Sequence, residues 1–207
     1  IHGGGFDLKF PHHENEIAQN KASHNNKLAS YWMHNGFVTF GEDKMSKSLG
    51  NVILAKDALK QYGGNAVRLA LLSSHYRAPV KFNEQTIAMA KSELEKMTTT
   101  FNQLAVTLQL ANTNVSKIPS QDITPFVSAL ADDLNVSNAL TYLYDTLKNV
   151  NNALRNKPLD LNQLTSSFAK IKQMFNLLGL KINYPILESA DLALYQAYEE
   201  ARKNKDF

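Results

Sequence analysis

The sequence contains no cysteine. Neither a disulfide framework nor a thiolate site can be built from this chain alone. No apolar run approaches the roughly 20 residues that a membrane-spanning helix needs, and no leader pattern of basic then apolar residues opens the chain. Low-complexity tracts and internal repeats are also missing. What is present is ordinary for a globular protein: 43% hydrophobic and 20% charged residues over a length that allows one or two domains. The expectation is a soluble, cytoplasmic protein without a membrane partner.

The net charge of +3 hides an asymmetry. Residues 1–81 hold ten Lys/Arg against six Asp/Glu, whereas residues 82–207 hold twelve against thirteen. A basic first part suits a polyanion such as a nucleotide or RNA, and equally suits a plain solvated surface. The chain opens on Ile1 directly into its most distinctive motif. It closes on "AYEEARKNKDF", a helix-like pattern without a stop signal. Both ends read as cut, so the expectation is part of a longer protein.

Residues 1–12 read as irregular and glycine-rich, and 13–29 as a helix that Pro11 can start. "GFVTF" (36–40) is β-branched and aromatic between glycines, which predicts a short strand. "GEDKMSKSLGN" (41–51) reads as a polar loop. A short helix over 57–61 stops at Gly63 and Gly64, and Asn65 can cap the helix "AVRLALLSSHY". From Asn83 onward apolar residues recur at three- and four-residue steps, first from Ile87 to Leu108. A linker over 112–125 precedes a helix through Phe126, Leu130 and Leu134. Further helices run through Ala139–Leu154 and Leu164–Leu178, the latter stopped by Gly179, and a last one starts near Ser189. That pattern predicts an antiparallel helical bundle over 83–207 with no catalytic cluster in it. The chain is mainly α overall.

The chemistry concentrates in "FPHHENEIAQ" (10–19). On a helix beginning near Pro11, His12 and Glu16 lie four residues apart on one face. An imidazole and a carboxylate on adjacent turns make half of a zinc site, and catalytic zinc takes three protein ligands and an open position. His13, Glu14 and Asn15 then point elsewhere, toward partners of the ligands or substrate. A His–Glu pair at that spacing is often only a surface ion pair. Further ligands have to come from outside this sequence. "KMSKS" (44–48) flanks small hydroxyl residues with two lysines. Such a loop can fold over a triphosphate and follow the charge that develops there; it can also be a solvated turn.

"KMSKS" followed by "LGN" resembles the signature loop of class I aminoacyl-tRNA synthetases. With "IHGGGFDLKFPHHENEIAQ" ahead of it and "YWMHNGFV" between, the chain resembles the cysteinyl-tRNA synthetase family. "VRLALLSSHYRAPVKF" fits that family's junction after the loop, and "ADDLNVSNAL" its acidic segment in the helical domain, with Leu134 and Val136 in place of the more usual Phe and Thr. The resemblance covers essentially the whole chain and is strongest over 1–83. It implies the C-terminal part of an α/β, Rossmann-type catalytic domain over 1–82, then a tRNA-binding helical bundle over 83–207. In that family a zinc ion is held by two cysteines, a histidine and a glutamate, and the last two carry over to His12 and Glu16. His2, Asp7 and His13 carry over to the cysteine pocket. Lys47, with Lys44 as its helper, carries over to ATP, with Met45, Ser46 and Ser48 in the same loop.

The implied reaction is ATP- and Mg2+-dependent activation of L-cysteine to an adenylate, then transfer to tRNA(Cys), by a monomer. A soft metal bond to sulfur separates cysteine from serine where an apolar pocket cannot. The family's first ATP motif and both zinc cysteines lie upstream of these residues, so the chain alone is expected to be inactive and to hold zinc weakly. Two other readings stand beside this one: a paralogous ligase joining cysteine to an amino sugar, and a freestanding RNA-binding helical module. Arg77 in "HYRAP" is the candidate phosphate contact for tRNA, or else an ion-pair partner at the junction.

Overall fold

A computed structural model of the chain describes residues 1–40, 43–44 and 54–204. Met45, Ser46, Lys47 and Ser48 lie outside the described residues, and Lys44 is described only in its backbone. The chain divides into two compact units, Ile1–Lys91 with Asp132–Ser137, and Ser92–Ala131 with Asn138–Phe207. The division falls inside a helix and returns a short loop to the first unit.

In the first unit, β1 (His2–Gly5) pairs in parallel with β2 (Trp32–Asn35), Gly3 standing opposite Met33. Strand β1 corrects the reading of 1–12 as irregular. Glycine disfavours strands, but here it admits a neighbour: a Cβ on Gly3 would sit 3.1 Å from the Met33 carbonyl oxygen. The strand expected at 36–40 is β3 (Val38–Phe40), paired antiparallel with β4 (Asp43–Lys44) and parallel with β5 (Val80–Lys81). The turn before β5 is tied back to Gly36, whose N–H donates to the Tyr76 carbonyl at 2.7 Å.

Helix α1 (Glu14–His24) is shorter than the 13–29 expected, because Asn25 turns into the left-handed region at φ 48° and ends it. Residues 9–13 form a separate wide turn in which Phe10 is extended, so His12 precedes the regular helix that carries Glu16. Helices α2 (Ala55–Tyr62) and α3 (Gly64–Leu72) meet at Gly63, whose φ of 83° suits glycine. Asn65 therefore lies inside the first turn of α3 and is not its N-cap.

The helical reading beyond residue 83 holds closely. Helices α4 (Glu84–Leu110), α5 (Thr124–Ala131), α6 (Val136–Arg155), α7 (Leu161–Leu178) and α8 (Ser189–Asn204) follow in order. Within the second unit Phe101, Leu104, Leu108, Phe126, Leu143, Leu164, Phe168 and Ile171 are fully buried. The stripes at helical spacing are core, as apolar periodicity requires. Asp160 caps α7 by accepting from the Gln163 N–H, and Gly179 ends it in the left-handed conformation. Buried Gln109 donates to the Ala105 and Pro185 carbonyls and accepts from the Leu187 N–H, which fastens the segment before α8. Leu134, expected on the α5 stripe, lies beyond its end at φ 55°. None of the described helices is long and apolar enough to cross a membrane.

Candidate functional site

Strand alternation places Trp32 and His34 on one face of β2, and the parallel register sets His2 opposite Trp32. The wide turn at 9–13 delivers buried His13 into the same place. Four rings result: His2 against His13 with centroids 4.8 Å apart, His2 against Trp32 at 4.9 Å, and His13 against His34 at 5.0 Å. Gly4 makes room for them, since a Cβ there would lie 3.2 Å from His13 Cε1.

One hydrogen bond links two of the rings. His13 Nδ1 and His34 Nε2 stand 2.9 Å apart, so one ring donates and the other accepts. Partial burial, followed by repulsion from His13, Lys9, Arg77 and His2, pulls the His34 pKa below its ordinary 6.5. A neutral His34 can fill either role in the pair. On the other side, His2 Nε2 lies 2.7 Å from Glu16 Oε2.

His2, His13 and Glu16 offer ligand atoms that all lie within 4.8 Å of one another. A nitrogen and oxygen donor set of this kind suits a borderline ion such as zinc. The 2.7 Å contact between His2 and Glu16 is nonetheless a hydrogen bond. Two ligands about 2.0–2.1 Å from a tetrahedral zinc stand roughly 3.3 Å apart. His12 does not join this cluster. It is exposed, and among the described residues takes no hydrogen-bond or ion-pair partner. Asp7, in the turn Phe6–Leu8, is exposed as well. Sequence reasoning thus named His2, His13 and Glu16, and passed over Trp32 and His34, although their two-residue spacing in "WMHN" is a strand signal.

Arg77 belongs to a second cluster in the same unit. Its Nε and Nη2 donate to the two Asp133 carboxylate oxygens at 2.8 and 3.0 Å. The Tyr76 hydroxyl donates to Asp133 Oδ1 at 2.7 Å, and His75 Nε2 to the Asp133 backbone carbonyl at 2.9 Å. Three consecutive side chains thus hold a residue at φ 50°, an uncommon conformation outside glycine. The geometry is that of the ion-pair alternative for Arg77, made with the acidic segment "ADDLNVS".

With these arrangements in place, the comparisons give the class. Residues 1–92 match the family model described as the catalytic domain of class I (C) tRNA synthetases, and residues 125–183 match the DALR domain. The two matched segments are thus those of a class I tRNA synthetase catalytic domain followed by a DALR helical domain. LeuRS from Agrobacterium radiobacter K84, in a ternary complex with tRNA and LeuAMS, shares the fold over 84% of this chain and 24% of its own (TM-score 0.67, 18% identity). Within the class, the chain is similar over its whole length to proteins named cysteine–tRNA ligase. One from Bacillus thuringiensis (strain Al Hakam) is 38% identical over 214 residues, and one from Bacillus cereus (strain AH187) 37% identical over 215. The chain spans 46% of the length of each.

The Arg77 fork and the Tyr76 hydroxyl hold the Asp133 carboxyl down at about 2, from an ordinary 3.8. A carboxylate whose pKa is depressed by folding adds stability that is full above 3.8 and lost as pH falls through about 2. Asp133→Asn should therefore lower the melting temperature at neutral pH and flatten its decline across that acid window. Calorimetry from pH 7 down to pH 2 reads this directly, and an acid limb identical to the parent's contradicts the pairing.

Proposed function

We propose that this chain serves an ATP-dependent ligase that joins L-cysteine to tRNA(Cys) through a cysteinyl-adenylate. The observation that carries this reading is the imidazole cluster on a glycine strand, followed by KMSKS and a DALR helical domain, in a chain matched throughout by cysteine–tRNA ligases. Lys47, helped by Lys44, neutralises charge developing on the triphosphate of ATP, which arrives with Mg2+. Met45, Ser46 and Ser48 complete the loop's contacts. No protein nucleophile is required, only positioning and electrostatic stabilisation.

His12 and Glu16 hold zinc together with ligands that this chain does not supply. Bound there, zinc supplies a soft Lewis acid that selects a thiolate over a hydroxyl. Of the two, Glu16 stands in the cluster with His2 and His13, and His12 stands outside it. Glu16 is already oriented by the His2 hydrogen bond, as ligating carboxylates are by their outer partners. His12 is exposed and uncommitted. His2, His13 and Asp7 line the cysteine pocket, with the His13–His34 pair fixing the His13 ring.

Two results test this in the whole gene product. Metal analysis after dialysis should show zinc lost in His12→Ala and Glu16→Ala. In His2→Ala the affinity should weaken about 10- to 100-fold, as for loss of a ligand's outer partner. Full zinc in Glu16→Ala would overturn the ligand assignment.

Lys47→Ala should slow cysteine-dependent ATP–pyrophosphate exchange by about 100-fold or more, with cysteine binding little changed, because one donor to developing charge is worth that much. Exchange near the parent rate would remove Lys47 from the ATP site, and exchange with an amino acid other than cysteine would overturn the substrate.

A further inference from the structure

The second unit contains a cavity of about 410 Å3 that the activation chemistry does not use. It forms because Gly179 turns the chain at φ 67° and the following segment folds back along α7, where the Leu180 N–H donates to the Phe175 carbonyl at 2.9 Å. Phe101 and Tyr184 are among its walls, with Lys172, Asn176, Lys181 and Asn183 around them. Its lining holds two ammonium groups, two amides and no carboxylate. That composition stands out because residues 82–207 carry more acids than bases.

Lys172 is the informative residue. It is half-buried, with its ammonium 5.7 Å from the centre of the Tyr184 ring. Among the described residues no carboxylate pairs with it. Lysines removed from water are usually paired with an anion, and here a ring face is the compensation the protein provides. Tyr184 is itself fixed edge-on against Phe101 at 5.5 Å and Phe168 at 5.2 Å, so the wall is preformed. The carbonyls of Phe175 and Asn176 at the end of α7, which would repel an anion, are occupied by the Gly179 and Leu180 N–H groups.

We propose that this cavity binds one unpaired nucleotide of the tRNA, its phosphate on Lys172 and its base or ribose edges on Asn176 and Asn183. The proposal deepens the tRNA-ligase reading and rests on it. The volume lies within the range of small-ligand sites, about 300–1,000 Å3, and suits one nucleotide but not a duplex. Unpaired nucleotides are what proteins read most readily in RNA, through stacking and edge contacts. A bundle lacking net positive charge needs such local contacts, since it cannot hold RNA by its overall field.

The test titrates a tRNA(Cys) transcript into the 207-residue chain over a range of salt, by fluorescence anisotropy, with AMP titrated separately. Lys172→Gln should weaken tRNA binding severalfold and lower the log–log salt slope by about 0.7. Lys172→Arg should retain binding, and an unchanged melting temperature in each variant would show that the bundle is intact. Unchanged tRNA affinity and slope in Lys172→Gln would overturn the proposal while leaving the ligase reading standing. AMP binding lost in Lys172→Gln, with tRNA binding unaltered, would overturn it in favour of a free nucleotide. Absence of tRNA binding by the unsubstituted chain would overturn it together with the tRNA role of this chain.

Discussion

The first unit's site depends on how closely β1 is approached by its neighbours. Gly3 has the Met33 carbonyl oxygen where a side chain would begin, and Gly4 has Leu8 and the His13 ring. Any Cβ at Gly4 would meet Leu8 Cδ1 at 2.8 Å and press on His13 from the same side. Because these positions are bare, the parallel pair can close, His2 can stand beside Trp32, and His13 can reach both His2 and His34. Close backbone approach brings the imidazoles together. Their hydrogen bonds then fix which ring nitrogens face outward.

A second constraint operates at the turn before β5. Gly36 accepts the 76–79 turn so closely that a Cβ would clash with the Ala78 carbonyl group. His75, Tyr76 and Arg77 consequently project together from that turn and grip Asp133 through four hydrogen bonds. Exposed pairs are ordinarily worth little. A bidentate guanidinium with an added phenol is the arrangement in which geometry raises that worth, and it holds two consecutive left-handed residues, Asp133 and Leu134. The helical unit is organised differently. Its apolar stripes form the core, and single buried amides such as Gln109 secure the connections between helices.

These differences decide what could be read from sequence. The helices from α4 to α8 were legible because apolar periodicity, Pro158 and Gly179 are local signals. Glu16 was named from motif spacing, and His2 and His13 from family resemblance; the structure brings the three together. Strand β1 was not legible, since "HGGG" has the composition of a loop and becomes a strand only when β2 lies beside it. His34 and Trp32 were missed for the same reason: their alternation matters only once the parallel register is known. The helical-face argument for His12 and Glu16 assumed a regular helix from Pro11, whereas the wide turn places His12 before α1 begins. The Arg77 pairing joins residues 56 apart, and no local pattern encodes it.

The most direct measurement is of the imidazoles when the bare backbone is filled. In Gly4→Ala, ring nitrogen chemical shifts of His13 and His34 should change together as the His13 ring is pushed aside and their hydrogen bond is perturbed. Amide shifts of the helical unit should stay as they are. Unaltered imidazole shifts in a folded Gly4→Ala chain would contradict the account, because the cluster would then be assembling without the close approach on which it is said to depend.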